Sequence, residues 1–105
     1  MVFVTNSWEA STNNPTSAFC MLDIEPVDAL SMNTDLKAYV TIDDGSNYEQ
    51  ITLEATPFRE IGAHDYIRGD ISRITARTDK TVRLKLTSHN TKNVKVYGIS
   101  EGVKY

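Results

Sequence analysis

The feature that most constrains this chain is a strict alternation of apolar and polar residues. Leu36, Ala38, Val40 and Ile42 alternate with Lys37, Tyr39, Thr41 and Asp43, and Ile51, Leu53 and Ala55 alternate with Gln50, Thr52 and Glu54. Successive side chains of an extended backbone point to opposite faces, so each run makes a strand with one dry and one wet side. Val82, Leu84 and Leu86 repeat the pattern against Arg83, Lys85 and Thr87. Val94 and Val96 repeat it against Lys95 and Tyr97, with Gly98 marking a bulge or a close approach. In "SAFCMLDIE", Ala18, Cys20, Leu22 and Ile24 share one parity and face a core. Nowhere does a spacing of three and four persist over the ten or twelve residues that a helix needs.

Turn-forming clusters separate the runs: "TNNPTS", "EPVD", "DDGSN", "TPFREIGAHD", "RTDK" and "SHNTKN". Short strands at such intervals predict an all-β fold, an antiparallel β-sandwich of jelly-roll-like type. With 105 residues the chain has room for a single domain, 1–105. Residues 1–16, polar after Val4 apart from Trp8, read as an arm or an edge strand. "GDISRITART" fits either an irregular strand or one turn of helix, because Ile71 and Ile74 sit three apart.

A net charge of −3 argues against generic nucleic-acid binding, and no apolar run is long enough for a membrane span or a secretory leader. The chain therefore reads as soluble and unprocessed. Charge is unevenly spread: residues 1–52 hold one base, Lys37, against eight acids, and residues 53–105 hold ten bases against six acids. The halves can pair across strands of one fold, or acidic and basic surfaces of neighbouring copies can meet.

No motif calls for a metal, a cofactor or a catalytic group. In "TIDDGSNYEQITL", Asp43 and Asp44 lack the ligand spacing of a calcium loop, and as neighbours in a strand they cannot act as a glycosidase pair. Asp, Gly and Asn there suit a tight hairpin. The lone Cys20 reads as a buried, inert thiol. His64 and His89 are far apart and lack the spacing of a zinc site. The glycines are too scattered for a phosphate loop. "RGD" at residues 68–70 is a short match lying between strand-forming residues, which argues against an adhesion signal. The chain reads as a non-enzyme.

What remains is surface. Tyr39 and Tyr97 fall on the wet parity of their strands, and Trp8 stands among small and polar residues. Phe58, His64 and Tyr66 lie in or beside the loop expected over residues 56–66. These six are the candidate interface or glycan-contact residues, since aromatic side chains are enriched where proteins meet and also stack on sugar rings.

"NTDLKAYVTIDDGSNYEQITLE" and "RGDISRITARTDKTVRLKLTSHNTKNVKVYGIS" together resemble a β-sandwich module of tailed-bacteriophage virion proteins. In that module an Asn-Thr-Asp-Leu strand precedes an Asp-Gly-Gly-type hairpin with an aromatic residue, and an Asn-Asn/Lys turn precedes the last strand. Residues 33–36, 43–48 and 90–99 carry these features here, and the lead-in "VTNSWEASTNNPTSAFCMLDIEPVDAL" extends the resemblance over nearly the whole chain. Tyr48 stands where tryptophan is common, and Gly45 is the hairpin's single glycine. The resemblance implies either a small capsid decoration (cement) protein or the distal domain of a tail fibre or tailspike. Because the chain starts with methionine and holds little beyond the module, the expectation is a cement protein on the outer capsid surface, a homotrimer bound to the major capsid protein. The alternative is a tail location and a host surface glycan as ligand.

Overall fold

The computed structural model describes residues 2–9, 15–28, 30–59, 65–75 and 80–104. It is all-β and antiparallel, with no helix among the described residues. Eight strands follow in order: β1 (Val2–Val4), β2 (Trp8–Glu9), β3 (Ser17–Pro26), β4 (Leu36–Thr41), β5 (Glu49–Arg59), β6 (Asp65–Ile71), β7 (Thr81–Ser88) and β8 (Val94–Lys104). Their spatial order is β1-β7-β4-β5-β6-β3-β8, and β2 also pairs with β7.

The sheet curls so that inward residues of β3 and β6 share one core with those of β4, β5 and β7. Cys20, Leu22, Ile24, Leu36, Ala38, Ile51, Leu53, Ile67, Val82, Leu84 and Leu86 are all buried in it. The nested pairs β4 with β5, β3 with β6 and β2 with β7 form the rolled double hairpin of a jelly roll. In that plan the first strand closes the roll beside the last. Here β1 lies on β7 instead, so one side of the sandwich is left without a closing strand pair among the described residues.

Several sequence expectations are revised. Of the two alternatives for residues 1–16, the edge strand fits the described part: Val2–Val4 and Trp8–Glu9 both pair with β7, while 10–14 fall outside the described residues. The break expected over residues 56–66 is narrower, because β5 runs on to Arg59 and β6 begins at Asp65. The link between β4 and β5 spans residues 42–48, longer than a tight hairpin. Of "GDISRITART", residues 69–71 end β6 and 72–75 are irregular, with Ile74 buried and donating its N–H to the Thr16 carbonyl at 2.8 Å, while 76–78 fall outside the described residues. The bulge at Gly98 is present: Asp23 faces Gly98 but Ile24 faces Val96, which leaves Tyr97 as the extra residue.

The segment "NTDL" ties the layers together through polar contacts. Asn33, at φ 65°, uses its side chain as a strand partner, accepting from Leu53 N at 2.8 Å and donating to Leu53 O at 3.0 Å. Asp35 accepts from Ser31 N at 2.9 Å and from Asn90 Nδ2 at 2.8 Å, and its carbonyl accepts from His89 N at 2.8 Å. The β7–β8 turn, with Asn90 and Thr91 both at positive φ, is thereby fixed to the start of β4.

These donors, Asn90 first and Ser31 second, hold the Asp35 carboxyl below the usual carboxylate range. A lowered folded-state pKa contributes stability above the ordinary aspartate value of about 3.9, and that contribution is lost as pH falls through the folded value. Urea unfolding at stepped acid pH should therefore show a shallower loss of stability for Asp35→Asn than for the wild type.

Candidate interaction surface

The polar clusters that could suggest chemistry are occupied by structure. Thr41 Oγ1 donates to Asp43 Oδ1 at 2.7 Å and accepts from Gly45 N at 3.0 Å. Asp43 accepts from Asn47 N at 2.8 Å and from Asn47 Nδ2 at 2.7 Å. Asp44, at φ 55°, turns outward to Arg83 Nε at 2.7 Å. The acidic bend is a self-capped turn whose two carboxylates diverge. That ion pair also joins an acid of the first half of the chain to a base of the second.

Cys20 is buried, and its thiol is pushed up to about 12 by desolvation first, with the Glu101 and Asp70 carboxylates adding to the shift. It is therefore a poor nucleophile. Among the described residues no group of three or more His, Cys, Asp and Glu could hold a metal ion. The "RGD" tripeptide lies within β6, where Arg68 Nε and Asp70 Oδ2 pair at 3.1 Å on the outer face and Gly69 faces the core.

The outer face of β6, β3 and β8 is different in character. Cross-strand register sets out three rows: Asp70, Phe19 and Gly102; Arg68, Met21 and Ser100; Tyr66, Asp23 and Gly98. Phe19 and Met21 are 41% and 40% exposed on the middle strand of the three. A Cβ at Gly102 would overlap the Phe19 ring, so the glycine leaves room for the ring to approach the β8 backbone closely. Tyr66 borders a shallow groove of about 270 Å³ with Met21, Asp23, Gly98 and Ser100. Phe19 and Met21 were not singled out from the sequence, although both have the parity opposite to Ala18, Cys20, Leu22 and Ile24.

The four sequence candidates whose side chains are described, Trp8, Tyr39, Tyr66 and Tyr97, do not gather at one place. Tyr97 is exposed on β8, and its hydroxyl donates to Glu25 Oε2 at 2.8 Å, the main cause of its raised pKa. Tyr39 sits on the outer face of the other layer, where Lys85 Nζ lies 5.0 Å from its ring centre and 4.1 Å from that of Tyr48. Trp8 is half-buried and directed inward. Phe58 is on β5 with its side chain outside the described residues, and His64 lies outside them altogether.

Trp8 belongs instead to the side where the roll is not closed. Its Nε1 donates to Glu101 Oε1 at 3.0 Å, and Thr5 Oγ1 donates to the same oxygen at 3.3 Å. Thr5 Oγ1 also accepts from Leu84 N at 2.9 Å, so one hydroxyl connects β7 to β8. Beyond this clasp a groove of about 350 Å³ opens between Phe3, Thr5 and Asn6 on one side and Val96, Gly98 and Ile99 on the other. Val2, Phe3 and Val4 are all exposed along β1. No protein-family model matches the chain, and no curated protein or solved structure shows significant similarity to it.

Proposed function

We propose that this chain is a structural protein of the bacteriophage virion, a capsid decoration protein that binds and stabilises the outer shell as an oligomer. The observation that carries this reading is two sets of large apolar side chains left in solvent: Val2, Phe3 and Val4 along β1, and Phe19 and Met21 on β3 with Tyr97 on the neighbouring β8. Contiguous exposed apolar residues on an ordered sheet mark surfaces that meet another macromolecule. The resemblance to the phage module supplies the context. A small core gives about 5–15 kcal/mol of stability. Many copies gripping adjacent shell subunits multiply that modest figure through avidity, since the shell then opens only if several contacts break together.

Copy number in purified virions tests the reading directly. Quantitative mass spectrometry is expected to find this chain at a level comparable to the major capsid protein. A handful of copies per particle, with a hit on a glycan array, would overturn it in favour of a receptor-binding distal domain of a tail fibre or tailspike. Trp8 and Tyr39, two of the three rings that a glycan platform would use, are already engaged by Glu101 and Lys85.

A further inference from the structure

We propose that Asp44 is this chain's site of spontaneous conversion to isoaspartate, and that the turn around it restrains the reaction while the protein is folded. The inference is independent of the virion reading above.

Asp44–Gly45 is the one place in the sequence where glycine follows an Asp or Asn. Such a pair is self-reactive, because glycine has no Cβ to crowd the approach of its own nitrogen to the preceding side chain. In the first step Gly45 N bonds to Asp44 Cγ. One carboxyl oxygen departs as water, carrying the amide hydrogen and the carboxyl proton, and a five-membered succinimide is left. Water then opens the ring. Addition at Cγ restores aspartate, whereas addition at the main-chain carbonyl carbon breaks its bond to Gly45 N and leaves the chain running through the side chain. Nothing is oxidised or reduced, the mass is unchanged, and water is the only co-reactant.

The structure opposes the first step at both reacting groups. The Gly45 N–H donates to Thr41 Oγ1 at 3.0 Å, and Thr41 is buried. Asp44 Oδ1 accepts from Arg83 Nε at 2.7 Å, so the carboxylate has to leave a cation before one of its oxygens can take a proton and depart. The backbone between them is pinned too. Asp44 and Gly45 lie at φ 55° and 93°, and Ser46 N donates to the Asp43 carbonyl at 3.2 Å, as in a type I′ turn. Asp44 N donates to the Thr81 carbonyl at 3.1 Å, which ties this turn to β7.

Bringing Gly45 N onto Cγ requires rotation about the Asp44 Cα–C bond, which turns the Gly45 N–H away from Thr41. The reaction therefore starts from the opened turn, and its rate follows how often the turn opens. The Asp44 side chain is 51% exposed on the link between β4 and β5, where opening does not demand global unfolding. Isoaspartate adds one main-chain atom to the ring closed by Ser46 N and the Asp43 carbonyl, so the original turn cannot re-form around it.

Peptide mapping of the full chain after weeks at neutral pH and body temperature, with fragmentation that separates aspartate from isoaspartate, is the test. In the folded wild type the modification is expected at residue 44 before any other position, roughly tenfold or more slower than in the same chain unfolded in urea. Thr41→Val keeps the shape of the buried side chain and removes the acceptor, and should speed the folded-state reaction by about fivefold. Arg83→Met, at a partly exposed position, should speed it by about two- to fivefold. Rates of both variants in urea should equal that of the wild type, and their urea midpoints separate local opening from a global loss of stability. A folded wild type that reacts as fast as the unfolded chain, a first modification at another residue, or two folded variants that keep the wild-type rate would each overturn the proposal.

Discussion

Replacing Gly69 by alanine is expected to destabilise the fold by about 1–3 kcal/mol, and replacing it by valine to cost more. Gly69 lies on β6 between β3 and β5, opposite Cys20 on one side and Leu53 on the other. A Cβ at this position would sit 2.8 Å from Cys20 Sγ, 2.8 Å from Ile51 Cγ2 and 2.9 Å from Leu53 Cδ2. All three neighbours are buried, and none is the loose end of a flexible chain, so the layers must separate or rotamers must strain. Cys20→Ala removes the nearest sulfur, so the double variant should lose less than the sum of the two single losses. Urea midpoints for the four proteins measure this. An unchanged midpoint for Gly69→Ala would show that the core has slack the structure denies.

That glycine also shows where the sequence could and could not be read. Periodicity identified β4, β5, β7 and the start of β8, because each keeps its apolar residues on one parity and the core lies on one side of the curled sheet; past the Tyr97 bulge the inward parity of β8 switches to Ile99 and Val103. The same rule, read for the other face of β3, would have pointed to Phe19 and Met21, since apolar residues at outward positions have no core to fill. Gly69 gave no such signal: the crowding comes from Cys20, Ile51 and Leu53, which are distant in sequence and meet only after β3, β6 and β5 pair. β1 and β2 were obscured for a related reason. They are short, and their partner β7 lies about 70 to 85 residues away in sequence. The extension of β5 to Arg59 crosses Pro57, which lacks an N–H for the ladder; the β5–β6 register is irregular between Ala55 and Arg59.

The charge asymmetry can be followed in the same way. Acids of the first half face bases of the second across strands, as Glu25 does Lys95 in register and Asp44 does Arg83 by a direct ion pair. Exposed pairs of this kind are worth little each. They serve register more than stability, since like charges placed opposite one another would disfavour the pairing.

Glu101 was the least legible residue of all, because an acid between Ser100 and Gly102 reads as a solvent position. In the structure it shares the inward parity of Ile99 and Val103 and lies opposite Cys20, with Trp8 and Thr5 both donating to Oε1. Its Oε2 is buried without a hydrogen-bond partner among the described residues. Two consequences of opposite sign follow from that asymmetry. Glu101→Ala strands the Trp8 and Thr5 donors and should cost about 2–3 kcal/mol, given that a hydrogen bond to a charged group contributes about 1.5–3 kcal/mol and one of these two is long. Glu101→Gln keeps an acceptor for Trp8 while removing a negative charge held beside the Cys20 thiol, so its stability should equal or exceed that of the wild type. Trp8 is the chain's one tryptophan, so its fluorescence reports the clasp directly. A red shift is expected for Glu101→Ala and not for Glu101→Gln. Equal losses in the two variants would mean that the charge itself, not the acceptor, holds β2 against β8.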